Sequence, residues 1–336
     1  MTNDEIRKRI IALQSKADAV HENLINSYQR RIVSTYKKSL EEIKKKIAAM
    51  YEKYGDGVTY QDMQPYNWLA AMEKEIALQL KDLAGENIKI TMESIKDSFA
   101  ESYYRNAYGF ENGIGIKMGF GQLNPNVISS AVLNPLDTVK WPNRIKDHVA
   151  NKYNNAIRQE ITQGLIEGKG YAKIAQNITK RAEVTASRAL VIARTESGRA
   201  QSTARVLAYE KAEAAAERLR IKTTRIWVAT FDQRTRDTHR SMDGQVANEK
   251  GKFILPSGAE TDGPRLSGIP EEDINCRCTS RMEIKGIPHK VRRDNIENSL
   301  VKNMTYDEWA AEKGIPLRKT IKGDDIGFKL KNKLLV

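Results

Sequence analysis

From Ile6 the apolar positions Ile6, Ile10, Leu13, Ala17, Val20 and Leu24 recur at alternating spacings of four and three, the seam of an amphipathic helix. The seam slips once, resumes through Tyr36, Leu40, Ile43, Ile47 and Met50, and stops at Gly55-Asp56-Gly57. One long helix or two stacked ones are expected. A second helical block opens near Pro65 and runs through Met72, Ile76, Leu80 and Leu83. It resumes from Ile88 to Tyr104 after the Gly85-Glu86-Asn87 interruption, and the glycines between Tyr108 and Gly121 read as a flexible loop. Beyond Pro135, Trp141 and Pro142, helices are expected over Arg144 to Glu167, Tyr171 to Ile178 and Ala182 to Arg218, the first closed by Gly168-Lys169-Gly170. The period then changes. Arg220 to Phe231 alternates through Ile221, Thr223, Arg225, Trp227 and Ala229, the pattern of a strand, and turn residues crowd the chain from Asp243-Gly244 to Gly268-Ile269-Pro270.

The expected fold class is α+β and predominantly α-helical, in five parts: a helical arm over 1–121, a linker over 122–143, a helical middle over 144–218, a small loop-rich β-containing module over 219–290, and a basic tail over 291–336. In the tail, Thr305 and Glu308 have the spacing of a reciprocal helix cap.

Composition adds a partner class and removes others. An apolar fraction of 40% over 336 residues supplies enough side chains for buried cores. No apolar run is long enough to span a membrane, and the start of the chain lacks the basic and apolar regions of a secretory leader. Synthesis and retention in the cytoplasm are expected. A net charge of +13 suits either a solvated basic surface or contact with double-stranded DNA, drawn by phosphates without choosing a sequence. Aromatic residues do not interleave with the basic ones in the way a single-strand stacking platform needs.

Cys276 and Cys278 are the only cysteines. A bridge across one intervening residue would be strained and would close almost no loop, so the spacing suits a metal better. Zinc favours thiolate and imidazole, and a loop-rich module with few regular hydrogen bonds gains most from such a clip. His239 is the imidazole expected to converge with Cys276 and Cys278. Asp232 or Asp237, or water, is the candidate for a fourth position. Two other readings stand beside this one: Asp232 as a turn residue bonding amides ahead of it, and the thiols as small buried groups packed against the Trp227 strand. His21, His148 and His289 have no spaced partner and receive no role. Arg194 and Glu196 are read as structural anchors, Arg194 reaching a carbonyl or carboxylate of the β-module and Glu196 pairing with Arg199 on the helix surface.

The run Trp227 to His239, with Asp232-Gln233-Arg234-Thr235-Arg236-Asp237-Thr238-His239 at its end, is followed by Asp243-Gly244 and then Asn275-Cys276-Arg277-Cys278. In order and spacing this resembles the phage head morphogenesis family, the Mu F-like minor head proteins. Ala193-Arg194-Thr195-Glu196 before the module, the Gly170-Tyr171 helix opening and Tyr306-Asp307-Glu308-Trp309 after it extend the resemblance over about Ile161 to Trp309. The chain departs from the pattern at Arg236, where similar branches carry a cysteine that would complete a Cys-x-x-Cys arm.

The resemblance implies a minor structural protein of a tailed-phage head rather than an enzyme. It would lie inside the virion, be attached to the portal protein and inner capsid proteins, and act in head assembly and in genome packaging or delivery, with no small-molecule substrate. The competing class is a metal-dependent hydrolase or toxin-like transferase built on His239, Cys276 and Cys278. Some relatives carry an added enzymatic domain, and the stretch after Trp309 is too short to hold one.

Overall fold

The computed structural model describes residues 3–55, 57–63, 67–114, 118–133, 140–218, 220–284, 291–293 and 300–302. It is α+β and predominantly helical, 72% of the described residues lying in helices beside a few small antiparallel strand pairs. Three long helices dominate: α1 (Asn3–Tyr54), α3 (Trp68–Ile114) and α7 (Tyr171–Arg218). Shorter ones are α2 (Tyr60–Met63), α4 (Pro125–Leu133), α5 (Trp141–Lys146) and α6 (Asn154–Ile166). Between α5 and α6 the turns widen into a π-helical segment, Asp147–Tyr153.

Three expected breaks are absent. Gly85 lies inside α3, and so do Gly109 and Gly113, so the helix continues ten residues beyond Tyr104. A helical glycine costs about 1 kcal/mol relative to alanine. Burial of Leu83, Ala84, Ile90, Ala107 and Phe110 around those positions outweighs it. The expected division of α7 between Ile178 and Ala182 is likewise missing. No helix-breaking residue stands there, and Ile178 and Ala182 are both fully buried.

The described residues form two compact units that interleave along the sequence: one from 3–25, 94–133 and the part of the chain from 194 onward, the other from 26–93 and 140–193. The second unit has a core of aliphatic and aromatic side chains, including Ile32, Tyr36, Leu40 and Ile43 of α1, Ile76 and Leu80 of α3, Ile157 and Ile161 of α6, and Ile174 of α7. Its α6–α7 turn requires glycine twice. Gly168 adopts φ +65, and a Cβ at Gly164 would overlap Ile174.

In the first unit small residues let α3 approach α7. Ser94 and Ser197 share a 2.7 Å hydrogen bond, Ser102 donates to the Gln201 carbonyl at 2.8 Å, and Phe110 meets Tyr209 edge to face at 5.6 Å. The first turns of α1 also belong here. Asp18 pairs with Arg205, and Glu22 pairs with Arg194 at 2.8 Å. Removing these turns would therefore strip two largely buried arginines of their carboxylates.

The module follows. β1 (Thr223–Val228) pairs antiparallel with β4 (Thr279–Ile284), in register from Thr223 opposite Ile284 to Val228 opposite Thr279. β2 (Phe253–Ile254) and β3 (Glu260–Thr261) make a short hairpin, and α8 (Asp237–Ser241) and α9 (Pro270–Asp273) are single turns. Two further three-residue strands, β5 (Val291–Arg293) and β6 (Leu300–Lys302), pair within the expected tail. Thr305, Glu308 and His289 lie outside the described residues. Among the described residues no helix is long and apolar enough to cross a membrane.

Candidate metal centre

The alternation in β1 buries Arg225 and Trp227. Arg225 is matched by Glu213 of α7, at 2.8 and 2.7 Å. Trp227 anchors a cluster with Ala229, Met242, Phe253, Leu255, Cys276 and Cys278. His239, carried on α8, meets the Trp227 ring edge to face at 5.6 Å and is 2% exposed. The residues named from spacing thus come together: one ligand atom each from His239, Cys276 and Cys278 lie within 4.8 Å of one another, and all three side chains are buried.

Local chain geometry explains the convergence. Arg236, at the position where a cysteine was expected from the family pattern, precedes α8 and donates to the carbonyls of Glu272 and Ile274. It thereby ties α8 to the segment entering Cys276. Asp273 closes that segment from behind, accepting from Ser267 and from the Gly268 amide. Asn275 then turns through a left-handed φ of +56 and donates its amide to Thr195 of α7 at 3.0 Å.

His239 Nδ1 stands 3.4 Å from Cys276 Sγ and 3.6 Å from Cys278 Sγ. Its Nε2 stands 2.8 Å from Glu272 Oε2. With Nε2–H donating to Glu272, Nδ1 faces both sulfurs; it donates toward Cys276 while the ring is protonated, and loss of that proton to a metal would leave the tautomer and orientation a metal-bound imidazole needs. Burial lowers the proton affinity of His239. The Cys276 sulfur, through charge and hydrogen bond, and Glu272 outweigh burial and carry the imidazole up to about 9. Burial raises the Cys276 thiol, and its bond from Cys278 and the His239 charge overcome this and bring it well below the ordinary thiol range. Cys278 moves up, because it donates to Cys276 and because of burial. Before any metal arrives the group already favours one thiolate.

Among the described residues Asp232 is not one of the converging ligand side chains. Arg277 grips its carboxylate with both terminal nitrogens, and the Arg234 amide donates to it at 2.9 Å. Burial pushes this carboxyl up, but Arg277 prevails and holds it below the usual range. The turn reading accounts for Asp232. Arg194, read as an anchor, donates to the Glu22 carboxylate on α1 at 2.8 Å, and Glu196 pairs with Arg199 at 3.1 Å inside the protein rather than on its surface.

Sequence reasoning missed Glu272, Arg265 and Thr195. Glu272 stands in an acidic run four residues before Cys276, a signal that was available. Arg265 has none: it adopts φ +71, lies against Gly198 of α7, and donates to Gln201 Oε1 at 2.8 Å and to the Cys278 carbonyl at 2.6 Å.

Comparison with known proteins matches residues 155–281 to the family described as Phage Mu protein F like protein, a stretch holding most of α6, all of α7 and the metal group. The minor head protein GP7 of Bacillus phage SPP1 is 30% identical over 308 residues, covering 89% of this chain and 97% of that protein. The NAD(+)–arginine ADP-ribosyltransferase EFV of Enterococcus faecalis is 30% identical over 305 residues, which span 60% of its length. An uncharacterized protein of Haemophilus influenzae is 23% identical over 212 residues, 63% of this chain and 42% of that protein. No solved structure matches. With a relative matched over 89% of this chain and nearly its own whole length, and a family model that covers α7 and the His239, Cys276 and Cys278 group, the chain belongs to the Phage Mu protein F like family.

Proposed function

We propose that this protein is a minor structural component of a tailed-phage head, held inside the virion at the portal and inner capsid after assembly in the host cytoplasm. It acts there in head assembly and in genome packaging or delivery. The observation that carries this reading is the near full-length match to the SPP1 minor head protein. The net charge of +13 supports weak, sequence-independent contact with packaged double-stranded DNA.

Within the module, His239, Cys276 and Cys278 hold a structural zinc ion. Tetrahedral zinc with ordinary Zn–S and Zn–N bonds separates its sulfur and nitrogen ligands by about 3.6 Å, and the two separations here are 3.4 and 3.6 Å. Zinc would cross-link α8 to the loop after α9, where regular backbone pairing is sparse. The ADP-ribosyltransferase relative supports the second reading, a transferase or hydrolase using the same residues. Burial of all three side chains favours the structural role, since a substrate would have to reach the open coordination position.

Heads purified from the phage encoding this chain should contain a few copies of it, retained when tails are removed. Protein purified without chelator should carry one zinc per chain and melt lower once chelated. Heads lacking the chain would refute the structural role. Substoichiometric zinc with unchanged melting would refute the zinc site, and hydrolytic or transferase activity lost in His239→Ala would establish the second reading.

A further inference from the structure

The solvent-facing side of α1 carries a basic repeat. Arg30-Arg31, Lys37-Lys38 and Lys44-Lys45 are three basic pairs seven residues apart, on a helix that is unbroken from Asn3 to Tyr54. Seven residues are close to two turns, so the pairs stack about 10.5 Å apart along one face and span about 21 Å. Packing in the second unit fixes which face this is. Ile32, Tyr36, Leu40, Ile43 and Ile47 are buried on the opposite side. Toward α3, Gln79 donates to the Ser39 carbonyl and Asn87 to Thr35 Oγ1, while Gln29 donates to the Leu190 carbonyl of α7. Arg30, Arg31, Lys37, Lys38 and Lys45 stay exposed, and Lys44 is partly buried.

Within each pair the two residues differ by about 100° around the helix, so the six charges form two parallel rows. One holds Arg30, Lys37 and Lys44, the other Arg31, Lys38 and Lys45. Between the rows stand Ser34 and Glu41, both exposed. Carboxylates answer only part of this charge. Glu93 takes Arg31 at 2.8 Å, and Glu41 and Glu42 take Lys44 and Lys45 at 3.1 Å each. Arg30, Lys37 and Lys38 have no ion pair among the described residues. Exposed pairs of this kind contribute little, so the paired cations too are available to a polyanion. A protein partner would look for an apolar centre, since interface cores are depleted in charge, and this crest offers a serine and a glutamate. Two basic rows without an apolar centre suit phosphates, which line both sides of the groove, about 12 Å wide, that admits a helix in duplex DNA.

We propose that this face of α1, from Arg30 to Lys45, holds the backbone of double-stranded DNA without reading its sequence, which rests on the DNA contact proposed above and gives it a place on the molecule. The helix lies along a groove with one basic row toward each strand.

The full chain is titrated into a fluorescein-labelled duplex of about 30 base pairs and arbitrary sequence, and anisotropy is read from about 50 to 300 mM sodium chloride. Two triple variants each remove three positive charges: Arg30→Gln/Lys37→Gln/Lys38→Gln on the face, and Lys180→Gln/Lys222→Gln/Lys250→Gln at exposed positions elsewhere. The first should weaken binding by roughly ten- to a hundredfold at about 0.1 M salt and lower the slope of log affinity against log salt by about 3. The second should change affinity by less than about threefold, its charges lying outside the groove. Both should melt as the unmodified chain does, because all six side chains are exposed. Equal losses in the two variants would overturn the proposal, since net charge alone would then account for binding. No binding by the unmodified chain at the lowest salt would sink the DNA contact itself. Unchanged DNA binding by the first variant, together with its loss from purified heads, would give the face to an acidic head protein instead.

Discussion

Replacing Asp232 by asparagine isolates its ion pair with Arg277. The Asp232 and Arg277 side chains are 14% and 15% exposed, so the pair is well buried but not sealed. Removing one partner of a buried pair costs about 3–5 kcal/mol when the other charge is stranded. Here asparagine keeps an oxygen for the Arg234 amide and the Thr235 hydroxyl, and water has some access, so about 2–3 kcal/mol is expected. For cooperative units of 150–250 residues this lowers the melting temperature by roughly 5–10 °C. The pH dependence has a definite sign. The folded carboxyl lies below its ordinary value, so its contribution is fully present above the unfolded pKa of about 3.9 and is lost as pH falls through the folded one. The unmodified and Asp232→Asn proteins should differ most above about pH 5 and converge in acid. Thermal denaturation from pH 3 to 8, with Arg277→Met and the double variant completing a cycle, measures this. A shift under 1 °C at neutral pH, or an equal shift in the Arg277→Met background, would show that the pair does not hold the turn.

Glycine substitutions should separate packing from propensity. Gly198→Ala puts a methyl group into the Arg265 guanidinium and should destabilise by about 1–3 kcal/mol, whereas Gly85→Ala enters open space inside α3 and should stabilise by up to about 1 kcal/mol; denaturant titrations measure both. Glu272→Gln removes the charged acceptor of His239 Nε2 and should weaken zinc binding ten- to a hundredfold in competition with a chelating dye. Unchanged affinity would mean the carboxylate does not orient the ring.

What the sequence disclosed depended on range. The alternation into Trp227 lies in β1, and Asp243-Gly244 makes the expected turn, Gly244 at φ +79 and Asp243 accepting from the Ala229 amide. The Cys276–Cys278 spacing and His239 sufficed to propose convergence because zinc chemistry restricts the ligand types. Gly85 and Gly109 misled because punctuation is a local signal, while the burial that overrides it comes from residues far along the chain. For the same reason Arg277 as the partner of Asp232, forty-five residues away, was not visible.

The module's dependence on α7 has a physical origin that bears on how the family's shared segment is bounded. Loops that do not pair their own backbone must find partners elsewhere, and α7 supplies them from one face. Thr195 accepts from the Asn275 amide, Gln201 accepts from Arg265, and Arg205 and Tyr209 both donate to the Ser280 carbonyl. At about 100° per residue these four positions and Gly198 fall within roughly a third of the helix circumference. The face combines hydrogen-bonding side chains with one position lacking a side chain, where Arg265 lies down. A segment beginning at β1 would leave the Ser280 carbonyl, the Asn275 amide and Arg265 to water or to nothing. The smallest part of this chain that satisfies its own polar groups therefore includes α7, and the family match, which starts upstream of that helix and ends just past Ser280, spans the same stretch.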